Sequence, residues 1–185
     1  TAPGRGCGPR GDAVTDPIIT THLDAAAAIR RRIYDGTLAR HQWTGTDAHG
    51  RHVACLLAAA SPEVAAAQSA GACPAWLLPP WLAHLTPWID DSPSDDAWPS
   101  IVRRYAELLG QSSILDATAW RRLDYGARRI AVLEARSHVA DGDSVLIAID
   151  RVVALLDREI AGSPPSQTAW DAAARAARAA RAAYA

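Results

Sequence analysis

The chain has 185 residues and a formal net charge of -1, with 41 Ala, 16 Leu, 11 Ile and 9 Val but no Phe, Met, Lys or Asn. This length supports one domain with a real core, and so small a net charge gives no self-repulsion to hold the chain open. The balance also disfavours a dedicated nucleic-acid binder, the three irregularly spaced cysteines (Cys7, Cys55, Cys73) form no disulfide framework, and no apolar run reaches the about 18 residues that would cross a bilayer.

Residues 1–16 hold four Gly and two Pro without periodicity and read as a flexible tail. From Thr20 to Tyr34, Leu23, Ala26, Ala27, Ile29 and Ile33 recur at helical spacing, and Gly36 stands where a left-handed cap belongs. His52 to Ala60 reads as a short apolar helix, and Ser61-Pro62-Glu63 restarts one with a cap residue, a first-position Pro and an early acid. A Pro- and Trp-rich connector follows from Pro74 to Ser100, with at most one short helix from Pro80 to Leu85. The spacing then predicts a helix from Ala97 to Leu109 capped by Asp96, and a long one to about His138 capped by Asp116. Asp143 caps the next, whose stripe of Val145, Ile149, Val152, Val153, Leu156 and Ile160 overrides the local β-branched cluster. Thr168 with Asp171 opens the last helix. The expected fold is all-α, an irregular helical bundle of about 6–8 helices with a Pro/Trp-rich connector in the middle. Residues 17–165 form its body and 166–185 an Ala/Arg helix packing on or extending from it.

Clustered carboxylates bind Mg²⁺, and Asp90, Asp91 and Asp95 resemble the metal motif of all-α isoprenoid synthases over six residues. Pro93 interrupts the face those enzymes need, and no second acidic motif follows. His49, His52, Cys55 and Cys73 are zinc-ligand types, but on a helix each step of three residues drifts by about 60°, so residues 49, 52 and 55 fan out over about 120° instead of converging on one ion, and no Cys-x-x-Cys is present. His22, His41, His84 and His138 are scattered, no Ser or Cys sits in a nucleophile elbow, and no Gly-rich phosphate loop is present, so no catalytic residue and no cofactor are assigned.

Basic surface is the stronger lead. Arg121 and Arg122 recur as Arg128 and Arg129, a spacing of seven that superposes the doublets within about 20° on a helix, and Arg136 extends the strip. Such a strip could clamp phosphates, receive the chain's own acidic connector, or meet an acidic protein. Trp76, Trp81, Trp88 and Trp98 lie close together in the connector, where a chain without Phe needs large side chains for its core and where a partner groove would also place them.

All 19 basic residues are Arg and residue types with A/T-rich codons are missing, which points to a GC-rich coding source. At Trp43-Thr44-Gly45, Asp47, Gly50-Arg51 and Cys55-Leu56-Leu57-Ala58, the chain resembles small uncharacterised helical proteins of GC-rich bacteria and their phages, over about residues 21–110. The resemblance implies a helical fold and that source, and assigns no activity.

The expected function is therefore a non-enzymatic, cytoplasmic, helical protein-binding or accessory protein. It would use Trp81, Trp88, Trp98, Arg121, Arg122, Arg128 and Arg129 toward a protein partner, without a cofactor or a membrane. The alternatives are nucleic-acid binding through the Arg strip, and a Mg²⁺-dependent all-α enzyme built on Asp90, Asp91 and Asp95.

Overall fold

In a computed structural model of the chain, the described residues are 19–140 and 144–182; the expected tail at 1–16 and the cap assigned to Asp143 lie outside them. The described residues form eight α-helices: α1 (His22–Asp35), α2 (Leu56–Ala60), α3 (Pro62–Ala67), α4 (Pro80–Asp91), α5 (Trp98–Gln111), α6 (Ala117–Ser137), α7 (Ser144–Ile160) and α8 (Gln167–Ala182). One antiparallel hairpin joins β1 (Thr44–Thr46) to β2 (His52–Ala54), with Gly45 opposite Val53. The architecture is an all-α bundle, and among the described residues no helix is long and apolar enough to cross a membrane.

α1 starts with a reciprocal capping box between Thr21 and Asp24 and stops at Gly36, whose φ of 64° is costly for any residue with a Cβ. Its buried Ala25, Ala26 and Ile29 face α5, which contributes Val102, Ala106 and Leu109 to the same cluster. Small residues set that distance: a Cβ built on Gly110 would stand 3.4 Å from the Ala26 Cβ. Ile29, Leu56, Leu57, Val64 and Leu77 fill the centre at near-zero exposure, so the principal core belongs to α1–α5. α6 and α7 run antiparallel, Arg129 of α6 meeting Asp157 of α7 and Arg136 meeting Asp150, and α8 packs on α7. α7 buries Leu146, Ala148, Leu155 and Leu156, whereas α6 buries no residue completely and touches the main core through Trp120.

Four boundaries differ from expectation. Residues 52–54 are a strand because Asp47 organises the preceding turn, accepting the backbone N–H groups of His49 and Arg51 at 2.9 Å each. Cys55, in extended conformation, then caps α2, its sulfur accepting from the Ala58 N–H at 3.5 Å. The residues that carry the resemblance are thus this hairpin and the start of α2. α4 continues past Leu85 to Asp91 through Pro87, its far end held by tertiary contacts described below. α5 begins after Ala97 without a side-chain cap on that residue, and Ser94, not Asp96, accepts from the Ala97 N–H at 3.4 Å. Ser166 opens α8 by accepting from Ala169 at 3.3 Å, while Asp171 takes Gln167 at 3.0 Å instead of pairing with Thr168.

Candidate functional site

The acidic connector folds into a structural knot. Asp90, 1% exposed in the last turn of α4, accepts the Leu56 N–H at 2.9 Å through one oxygen and the Trp98 indole N–H at 2.7 Å through the other. Burial outweighs these two donors and raises its carboxyl above the ordinary carboxylate range. Arg40, fifty residues upstream, donates to the carbonyls of Asp90 (3.1 Å), Asp91 (2.7 Å) and Pro93 (2.6 Å) and to the Asp95 carboxylate (2.7 Å). Its guanidinium lies 5.9 Å from the Trp98 ring centroid. The Asp91 carboxylate accepts the His41 backbone N–H at 2.8 Å. The connector is therefore received by Arg40 and His41, and the carboxylates that resembled a metal motif are engaged with N–H donors. Among the described residues no three His, Cys, Asp or Glu side chains are placed to hold a metal ion.

Among the described residues, the two thiols are equally unsuited to attack. Burial raises Cys55, which also faces Asp90, and it pushes Cys73 up to about 11 beside Glu63. Tyr105 is raised by burial as well, its hydroxyl 3.0 Å from Thr86 Oγ1.

The arginine strip on α6 is largely self-neutralised. Arg128 grips Asp124 on its own helix at 2.8 Å, while Arg129 and Arg136 reach across to Asp157 and Asp150 on α7. Among the described residues, Arg121 and Arg122 have no carboxylate within ion-pair distance.

α4, α5 and α6 enclose an open apolar trough of about 640 Å³. Trp81, Leu82, Leu85 and Ile89 form the α4 wall at one-turn spacing, and Tyr105 and Leu108 come from α5. α6 contributes Trp120, Leu123, Ala127 and Ile130, a 3-4-3 spacing that makes a straight apolar seam on one helix face. Beyond Trp120, which rests against the main core, the seam is open: Ile130 is 70% exposed, and Leu123, Leu108 and Leu85 are exposed as well. Arg122 lines the same trough, so a cation without a carboxylate partner among the described residues stands beside an apolar surface.

Of the residues singled out in the sequence, the structure brings Trp81 and Arg122 together here. Trp98 belongs to the Asp90 knot, and Trp88 is exposed without lining the trough. Leu85, Leu108, Trp120, Leu123 and Ile130 were missed; the signal that finds the α6 members is the seven-residue apolar repeat interleaved with the more conspicuous arginine repeat. No protein-family model matches the chain, and neither a curated protein nor a solved structure matches it.

Proposed function

We propose that the protein is a helical binding or accessory protein, of bacterial or phage origin, whose trough between α4, α5 and α6 receives an amphipathic helix of a protein partner. The α6 seam supports this reading most strongly. Trp120, Leu123, Ala127 and Ile130 offer a fourth helix the spacing that its own apolar ridge requires, and exposed apolar surface of this extent marks interaction sites. Arg122 adds charge complementarity and selects a partner helix with an acidic residue at the matching rim position. Trp81 supplies the large anchor on the opposing wall. The nucleic-acid reading has less support, because three arginines of the strip already face carboxylates of this chain. The metal-enzyme reading has less still, because Asp90 is committed to the Leu56 and Trp98 donors.

The test is co-purification of the partner with the wild-type chain and with the Leu123→Asp/Ile130→Asp double variant. The partner is expected to be lost with the variant while the unfolding midpoint stays within error of wild type. Equal recovery from both proteins contradicts the reading.

A further inference from the structure

A second cavity, of about 500 Å³, lies between the C-terminal half of α1, the β1–β2 hairpin and the α2–α3 corner. Its size is that of small-molecule sites, about 300–1,000 Å³. Five alanines line it: Ala28, Ala54, Ala58, Ala59 and Ala65. These five side chains end at Cβ, and Ile19 and Pro62 add apolar surface beside them, so much of the lining is a low, methyl-covered floor.

Polar groups gather around that floor. Ala54 pairs with Thr44 across the hairpin and donates its N–H to the Thr37 carbonyl at 3.2 Å, which brings both threonines to flank it. Arg32 donates to the His52 carbonyl at 3.2 Å and approaches His52 Nδ1 at 3.5 Å. A guanidinium can only donate, so this contact suits the imidazole tautomer in which Nδ1 is the acceptor. Arg31, which also lines the cavity, has no carboxylate within ion-pair distance among the described residues. Asp35 is the one acid in the lining against Arg31 and Arg32, leaving a single excess positive charge.

We propose that this cavity binds a small planar carboxylate, an aromatic acid whose ring lies on the alanine floor and whose carboxylate faces the Arg31 guanidinium. The planar fork of Arg matches a carboxylate with two parallel hydrogen bonds. One excess charge suits a monoanion better than a phosphate dianion, which would also face Asp35. The methyl floor gives apolar contact to a ring and nothing to a bare inorganic ion. The site is separate from the trough, and neither proposal depends on the other.

The test is a titration of the full-length ¹⁵N-labelled chain with benzoate, benzamide and inorganic phosphate, followed at the amides of Thr44, Ala54 and Ala59. Benzoate is expected to shift these amides saturably and at least tenfold more tightly than benzamide, with phosphate leaving them in place. Arg31→Ala should weaken benzoate about tenfold and keep the spectrum dispersed. Ala28→Leu, which fills the cavity from α1, should abolish the response; if that variant does not fold, Arg31→Ala decides. Equal binding of benzoate and benzamide, phosphate shifts at the same amides, no saturable shift there, or unchanged affinity in Arg31→Ala would each overturn the proposal.

Discussion

The Asp90 carboxylate accepts the Trp98 indole N–H at 2.7 Å at a point where Asp90 is 1% exposed, and its second oxygen holds the first amide of α2. One side chain thus ties α4 to both α5 and α2. Asp90→Ala leaves two buried donors without an acceptor and is expected to cost about 3–5 kcal/mol. Asp90→Asn keeps one acceptor but turns an NH₂ toward the other donor, so it should cost less than Ala but remain destabilising. Urea unfolding checks both; a loss below about 1 kcal/mol for Ala would mean that the knot does not hold the helices.

The same burial fixes a pH dependence. Because the folded-state pKa of Asp90 is raised above its ordinary 3.8, the native state binds more protons than the unfolded state between those two values. The contribution of Asp90 to stability therefore falls as pH rises through that window. Asp24, lowered chiefly by the Thr21 hydroxyl, and Asp47, lowered chiefly by the Arg51 N–H, work the other way and lose their contribution as pH falls through their depressed values. Subtracting the Asp90→Asn stability curve from the wild-type curve isolates the first effect. The difference should decline with rising pH above 3.8, and a rising difference would show that the two donors dominate over burial.

Arg40 acts chiefly through carbonyl oxygens and only secondarily through a salt bridge. Its Asp95 partner is 99% exposed, so Asp95→Ala should change stability by less than about 0.5 kcal/mol. Arg40→Ala removes donors from three backbone carbonyls and should cost about 2–3 kcal/mol. Arg40→Lys should recover little of this, since one ammonium cannot spread over four oxygens. Thermal unfolding of the three variants separates the two contributions.

Neighbouring alanines on α1 should respond in opposite ways to the same change. Ala26 is fully buried against α5 near Gly110, so Ala26→Leu should cost about 1–3 kcal/mol by overpacking. Ala27 is exposed, and Ala27→Leu should stay within about 0.5 kcal/mol. Similar losses at both positions would mean that the α1–α5 crossing is looser than its distances imply.

Much of this fold is readable from local signals. Gly36, Ser61 and Asp116 punctuate the chain as their chemistry predicts, and the Val145–Ile160 stripe is a helix despite its β-branched residues. The misread elements are those that tertiary contacts decide. Pro87 looks like a helix breaker, yet α4 runs through it to Asp91, where Asp90 and Arg40 hold its far end. Strands of three residues carry too little alternation to register, and the Asp47 turn that makes the hairpin is recognisable only once Arg51 folds back onto it. In the candidate site, α6 carries two superposed seven-residue repeats. The charged one is the more conspicuous in the sequence, whereas the apolar one, from Trp120 to Ile130, faces the trough. That Arg129 and Arg136 spend their charge on α7 could not be seen from α6 alone.

Site-specific photocrosslinking tests the docking account most directly. A benzophenone side chain placed at Leu123 or Ile130, in the trough, is compared with one at Arg158, exposed on α7, in extracts of the source cells. The account predicts one polypeptide adduct at both trough positions and none at Arg158, with the crosslinked peptide amphipathic at helical spacing and carrying an acidic residue. No adduct in the trough, an adduct formed equally at Arg158, or crosslinks solely to a second copy of this chain would contradict it.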